Sequence, residues 1–191
     1  RDVIDIEAPV DLNLQNIASA LGRKIGEVTV AVLDRPRHQE LLAEIRRAGA
    51  RVKLISDGDV AAGIQAALPE TGVDALMGIG GTPEGVLTAA AIRCTGGAIQ
   101  CKPWPRDDED RNTALSSGVD LDRIYKTEDL VGGDDVFFAA TGASSGELMD
   151  GVRFFGDGAE THSLVMRSRS GTIRRLVSLH DFTRMDKTAK V

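Results

Sequence analysis

Short apolar runs alternate three times with amphipathic segments between residues 28 and 93, and few folds accommodate such a pattern. The apolar runs predict β-strands at residues 28–33, 51–55 and 75–79. The segments after them predict helices at residues 36–48, 59–68 and 83–93. Repeated units of strand and helix imply parallel strands joined by right-handed crossovers, with helices covering the faces of the sheet.

The rest of the chain follows a different pattern. The apolar run at 98–101 predicts a further strand, and the dense charges at 106–111 predict a solvated helix that ends near Gly118. Later strand-like runs, separated by glycine-rich turns, lie at residues 136–140, 152–155, 163–166 and 172–179. They are too close together for crossover helices, which favours antiparallel pairing. We therefore expect an α/β fold with a mixed sheet, with βα units on the N-terminal side and antiparallel strands toward the C-terminus.

The length and composition predict one folded domain with a short tail. With 191 residues, 42% of them hydrophobic, the chain has enough apolar side chains for one sizeable core. We place this domain at residues 1–182 and a mobile tail at 183–191. Cys94 and Cys101 are expected to be buried thiols rather than a disulfide or a metal pair. Ile4 and Ile6 look strand-like, and an unpaired strand there would make the chain associate.

The charge balance limits the partners. The chain has 23 Lys and Arg residues against 29 Asp and Glu, a net charge of −6, which argues against nucleic acid and anionic membrane surfaces as partners. No apolar run is long enough to span a membrane and no leader opens the chain, so we expect a cytoplasmic protein. The arginines at 167–169 and 174–175 are expected to face solvent, with a subunit interface as the alternative. The three histidines are too scattered for a zinc site, and each is expected to be a surface or hydrogen-bonded side chain.

Three polar clusters follow the three predicted parallel strands, where open α/β sheets bind their ligands. In the first cluster, Arg35 and Arg37 flank Pro36 and form a stiff, doubly cationic turn suited to a phosphate group. The alternative is a helix start whose arginines simply face solvent.

The second cluster is Asp57, Gly58 and Asp59. Its two carboxylates could accept hydrogen bonds from sugar hydroxyls or help to hold a divalent ion, and Gly58 allows close approach of the backbone. The alternative is that Asp59 is a plain N-cap of the following helix.

The third cluster spans residues 78–85 and combines glycines with a helix start. Free N–H groups at a helix N-terminus favour an anion such as phosphate, but the spacing matches neither the P-loop nor the dinucleotide fingerprint. Thr82 is expected to cap the helix that begins with Pro83. Glu84 could complement the helix dipole or bind Mg²⁺ or Mn²⁺ beside a phosphate. Together the three clusters suggest one site for a phosphorylated polyol and a metal.

The order and spacing of these clusters resemble those of the class II fructose-1,6-bisphosphatases. The resemblance continues through residues 139–142 and 151–153 and Arg174, so it covers nearly the whole chain. It implies the layered α/β sugar-phosphatase fold and hydrolysis of the 1-phosphate of fructose 1,6-bisphosphate in gluconeogenesis, with Mn²⁺ or Mg²⁺ as the cofactor. Some members also act on sedoheptulose 1,7-bisphosphate. We expect a homo-oligomer.

The family's functional residues carry over position by position. Substrate contacts fall on Arg35, Pro36, Arg37, Asp57, Gly58, Asp59 and Gly81. A metal ligand falls on Glu84. The Asp-Pro-Ile-Asp-Gly-Thr type of motif does not occur, so the chain resembles the C-terminal part of the enzyme and its catalytic residues stay unassigned. The alternative function is a non-catalytic sugar-phosphate binding or regulatory module.

Overall fold

The computed structural model describes residues 3–184 and contains the predicted alternation of helices and strands. Within these residues the α-helices are α1 (Val10–Leu21), α2 (Gln39–Ala48), α3 (Asp59–Ala66), α4 (Thr82–Thr95), α5 (Asp108–Ser116) and α6 (Thr127–Leu130). The strands are β1 (Thr29–Leu33), β2 (Arg51–Ile55), β3 (Ala75–Leu76), β4 (Gln100–Cys101), β5 (Tyr125–Lys126), β6 (Phe137–Thr141), β7 (Arg153–Phe155), β8 (Gly158–Arg167) and β9 (Thr172–Asp181). From residue 185 onward, the predicted tail lies outside the described residues.

The three βα units form a parallel sheet in the order β2-β1-β3. β1 pairs with β2 along all of its five residues and with β3 at Val30 and Ala31. Because neighbouring side chains point to opposite faces of a strand, Val30 and Val32 pack with α1 and α2, and Ala31 packs on the other side with Ala62 of α3. The central strand is therefore buried on both faces.

Helices α3 and α4 form a layer between the parallel sheet and a second, antiparallel sheet. Ile64 of α3 and Ala91 of α4 share a core cluster with Leu164 and Met166 of β8. β8 is the centre of the antiparallel sheet, with β6 and β7 on one side and β9 on the other. The α/β class and both kinds of strand pairing are confirmed. The parallel and antiparallel strands nevertheless lie in separate sheets, because two helices stand between them.

Several local predictions change in the folded chain. The predicted strand at 75–79 is shorter, and α1 adds a helix that was not predicted. Ile4 and Ile6 form no strand. Both are bound by the side-chain amide of Gln100: its Nε2 donates to the carbonyl of Ile4, and its Oε1 accepts from Ile6 N–H. The prediction of an unpaired strand at the start is therefore wrong.

Ile6 stays 44% exposed, and the most exposed apolar side chains of β9 are Val177 and Leu179. Val177 and Leu179 are 60% and 72% exposed, and self-association of the chain stays a prediction. Cys94 is buried and Cys101 is half-buried, and both are free thiols. Burial raises the pKa of each thiol. None of the helices in residues 3–184 combines the length and the apolar character needed to cross a membrane.

A close contact between α3 and α4 generates the first testable prediction. A Cβ atom on Gly63 would clash with the methyl group of Thr88, and both residues are buried. We expect Gly63→Ala to lower the free energy of unfolding by about 1–3 kcal/mol, because this overpacking outweighs the better helix propensity of alanine. Urea unfolding followed by circular dichroism measures the change.

Thr88→Ser removes the clashing methyl group and should restore most of the lost stability in the double variant. Gly132→Ala is the matched control, since a Cβ atom there meets nothing within 4 Å. A Gly63→Ala protein as stable as its parent would contradict the close packing of these helices.

Candidate functional site

The three predicted clusters emerge at one edge of the parallel sheet. Leu33 at the end of β1 lies opposite Ile55 at the end of β2, and the N–H of Asp34 donates to the carbonyl of Ile55 at 2.8 Å. β3 runs in the same direction on the other side of β1. The carboxyl ends of all three strands therefore bring the loops that follow them together.

Arg37 joins the first cluster to the third. Its Nη2 and Nε atoms lie 2.7 Å and 3.3 Å from the carbonyl oxygen of Ile79, and both donate to it. Pro36 begins the short 3-10 turn Pro36–His38 that aims Arg37 at this loop. Arg35 stays at the strand end, where its Nη1 donates to the carbonyl of Asp34 at 2.8 Å. The structure thus brings Arg37 to Ile79 and leaves Arg35 at the end of β1.

His38 ends the first cluster, and the structure adds it to the same site, whereas the sequence pattern predicted no role for it beyond that of a surface or hydrogen-bonded side chain. The side chain is buried, with 1% exposure, between β1 and the loop after β3. Nδ1 lies 2.8 Å from the carbonyl oxygen of Leu33, and Nε2 accepts a 2.8 Å hydrogen bond from Ile79 N–H. A sequence signal did exist, because His38 precedes the buried Leu42 and Ile45 at helical spacing and so shares their apolar face.

The second cluster reaches the same loop through Asp59. Gly58 is the N-cap of α3 with a φ of 77°, a left-handed conformation that favours glycine, so the alternative in which Asp59 is the N-cap is wrong. Asp59 is instead the first helical residue. Its Oδ2 atom packs against Gly80, where a Cβ atom would come within 2.8 Å of it. Asp57 is exposed at the mouth of the cluster.

The third cluster provides the loop itself. Gly81, rather than the predicted Thr82, is the N-cap of α4. The carboxylate of Glu84 folds back over Gly81, where any Cβ atom would clash with it. Glu84 is half-buried and lies in the first turn of α4, close to the free N–H groups of the helix start.

Residues 78–81, which we call the glycine loop, are therefore contacted by all three clusters. Arg37 and His38 bind Ile79, Asp59 packs on Gly80, and Glu84 packs on Gly81. Free helix amides and a guanidinium group can bind phosphate oxygens, and the carboxylates can accept hydrogen bonds from hydroxyl groups or ligate a cation.

The described part of the chain does not form a complete metal centre. Residues 3–184 contain no group of three or more His, Cys, Asp or Glu side chains placed to hold one ion. At the glycine loop the structure places two carboxylates, those of Asp59 and Glu84. A divalent ion there would need further ligands from outside the described residues.

A cavity of about 300 Å³ lies elsewhere, between residues 146–150 and the strands β8 and β9. Its Arg175 already binds the carbonyl of Leu148 and the carboxylate of Glu70. Glu160, on the neighbouring part of β8, pairs with Arg153, which lowers the pKa of that carboxyl group. We assign the candidate site to the glycine loop, where helix amides and the side chains of three strand ends converge.

Comparisons with known proteins agree with one another. The family model described as "Bacterial fructose-1,6-bisphosphatase, glpX-encoded" matches residues 1–180. Two similar curated proteins are both named D-fructose 1,6-bisphosphatase class 2/sedoheptulose 1,7-bisphosphatase. The protein of Synechococcus sp. (strain JA-3-3Ab) is 44% identical over 190 residues, and that of Microcystis aeruginosa (strain NIES-843 / IAM M-2473) is 46% identical over 195 residues. These matches cover 93% and 95% of this chain but 55% and 56% of the relatives, so the chain spans about half of their length.

A side chain would disturb the two helix N-caps Gly58 and Gly81 in different ways, and this difference generates the second prediction. Gly58→Ala forces a side chain into the left-handed region and should cost about 1–2 kcal/mol of unfolding free energy. Gly81→Ala should leave that free energy nearly unchanged, because only the end of the flexible Glu84 side chain must move. Urea unfolding of the two variants separates the cases.

Gly58→Asn is the matched control, since asparagine tolerates the left-handed region better and should lose less stability than alanine. Equal stabilities of the Gly58→Ala and Gly81→Ala proteins would rule out this division of roles.

Proposed function

This chain belongs to the family of bacterial fructose-1,6-bisphosphatases that glpX encodes, and from that membership we propose that its glycine loop binds the substrate of a metal-dependent sugar bisphosphatase. The proposed reaction is hydrolysis of the 1-phosphate of fructose 1,6-bisphosphate to fructose 6-phosphate and phosphate. The names of the relatives add sedoheptulose 1,7-bisphosphate as a second proposed substrate. We place this activity in gluconeogenesis and in the cytoplasm, where free thiols such as those of this chain are usual.

One observation carries the proposal: three clusters that are distant in sequence meet at residues 78–81. Arg35 and Arg37 would bind a phosphate group, since bidentate guanidinium contacts suit its geometry. Pro36 would keep the turn between them stiff. Gly81 would let a phosphate approach the amides at the start of α4.

The second cluster is proposed to recognise the sugar. Asp57 and Asp59 are acceptors for hydroxyl hydrogens, and Gly58 keeps the backbone between them open to the ligand. Such contacts orient the sugar relative to the phosphate bound by the arginines. The residues that activate water and protonate the leaving oxygen stay unassigned in this chain.

Glu84 is proposed as one ligand of a Mn²⁺ or Mg²⁺ ion. When bound, such an ion supplies positive charge that stabilises the transferring phosphoryl group. Residues 3–184 contain no three-ligand cluster. The other ligands would therefore come from residues that correspond to the part of the relatives that this chain does not span.

The same geometry serves the alternative, a non-catalytic sugar-phosphate binding or regulatory module. The incomplete ligand set of the described residues favours it for the 191-residue chain on its own. Phosphate release from fructose 1,6-bisphosphate with Mn²⁺ present separates the two functions. Release by the full-length protein that carries this sequence supports the enzyme, whereas calorimetric binding without release by that protein supports the module.

The third prediction concerns the arginines. We expect Arg35→Ala and Arg37→Ala each to weaken binding of fructose 1,6-bisphosphate by about 1.5–3 kcal/mol, the range for hydrogen bonds to charged groups. Isothermal titration calorimetry on the purified chain measures this change. Arg47→Ala is the matched control, since Arg47 is exposed on the adjacent helix α2, away from the glycine loop. Unchanged affinity in the Arg35 and Arg37 variants would remove them from the site.

The fourth prediction concerns Glu84. If Glu84 ligates the metal, Glu84→Gln leaves the free energy of unfolding nearly unchanged. In the full-length protein that carries this sequence, it abolishes the phosphate release that depends on Mn²⁺. A helix-dipole role predicts a stability loss of about 0.3–1 kcal/mol instead, with the metal midpoint untouched. Thermal unfolding without metal, beside turnover across a Mn²⁺ titration, distinguishes the two. Retained turnover with an unchanged metal midpoint would defeat the metal assignment.

A further inference from the structure

We propose that His38 is a positioning residue that holds the glycine loop in its ligand-binding conformation without touching the ligand. The inference rests on the proposed function, because the ligand of the loop is taken to be the sugar bisphosphate. His38 stands at the junction of two elements that are far apart in sequence, the end of β1 and the segment after β3. A side chain in that place can fix one relative to the other.

The hydrogen bonds of His38 allow one form of the imidazole ring. Nε2 accepts from Ile79 N–H and therefore carries no hydrogen. Nδ1 carries the ring hydrogen and donates it to the carbonyl of Leu33. Both partners are backbone atoms, and the ring is 1% exposed, so water does not compete for either bond. The neutral Nδ1–H tautomer thus links the strand end to the loop.

The glycine loop needs such a link because its own sequence is permissive. Residues 78, 80 and 81 are glycines, which restrict the backbone least, so contacts from outside the loop have to fix its conformation. The hydrogen bonds of His38 and Arg37 to the backbone of Ile79 are such contacts. Gly78 has a φ of 140°, and a Cβ atom there would lie 3.1 Å from the His38 ring. The glycine at 78 therefore lets the imidazole approach the backbone.

Arg37 and His38, which are neighbours in the sequence, bind both backbone polar groups of Ile79. His38 accepts its N–H, and Arg37 donates to its carbonyl oxygen at 2.7 Å. Because Arg37 is bound to this carbonyl, its orientation depends on the position of the loop. Arg37 is also a proposed phosphate ligand. Asp59 and Glu84 also pack on this loop, at Gly80 and Gly81. A shift of Ile79 would therefore disturb the binding groups of all three clusters at once.

Two amide side chains separate this role from ordinary packing. His38→Gln places an acceptor near the position of Nε2 and keeps the bond to Ile79 N–H while losing the bond to Leu33. His38→Asn places a donor near the position of Nδ1 and keeps the bond to Leu33 while leaving Ile79 N–H unpaired. Each variant loses one buried backbone hydrogen bond, so both should lose similar stability.

We expect His38→Asn to weaken binding of fructose 1,6-bisphosphate by about tenfold in titration calorimetry, the equivalent of one lost hydrogen bond. His38→Gln should bind within about threefold of the parent. Amide hydrogen exchange, which needs no ligand, should show Ile79 N–H protected in the parent and in His38→Gln but rapidly exchanging in His38→Asn. Equal binding losses that follow the two melting temperatures would overturn the positioning role.

A measurement on the unmodified chain covers the case in which either variant fails to fold. Nitrogen-15 NMR of the His38 ring should show hydrogen on Nδ1 and none on Nε2, and the opposite tautomer would overturn the proposal. If the parent binds no sugar bisphosphate, the proposed function fails. In that case the exchange of Ile79 N–H and the ring tautomer still decide whether His38 holds the loop.

Discussion

The pairing of β1 on both of its sides is the constraint on which the rest of the structure depends. Val30, Ala31 and Val32 have no exposed surface, because β2 and β3 flank the strand and helices cover both of its faces. A strand held in this way ends at a defined point. Its last carbonyl group, that of Leu33, receives the His38 ring, and the chain then turns into the arginine cluster.

The helix layer carries this order from the sheet to the site. Helices α3 and α4 start at the same sheet edge, and the contact between Gly63 and Thr88 brings them close together. Their starts therefore present Asp59 and Glu84 to the adjacent glycines Gly80 and Gly81 of the same short loop. On their other side the two helices pack on β8, so the antiparallel sheet supports the site from behind without contributing the proposed ligands.

The proposed ligands form an open surface with mixed charge. Arg37 is exposed and Glu84 is half-buried, so solvent water can reach the guanidinium and carboxylate groups at the loop. A substrate or a covering segment would have to displace that water to strengthen these contacts. The chain spans about half the length of its relatives, and residues 3–184 contain no group of three metal-ligating side chains.

The sequence by itself determined the features that arise from local pattern. Periodicity identifies β1, β2 and the helices after them, and the directionality of parallel strands places Arg35, Asp57 and Gly81 at one edge of the sheet. The tertiary structure decided the separation of the parallel strands from the antiparallel ones, the absence of a strand at Ile4 and the N-cap at Gly58. It also decided the role of His38, since the bond to Ile79 joins residues 41 positions apart. Local patterns record which face of an element is apolar, whereas a contact between a ring nitrogen and a distant backbone amide exists only after the strands have paired.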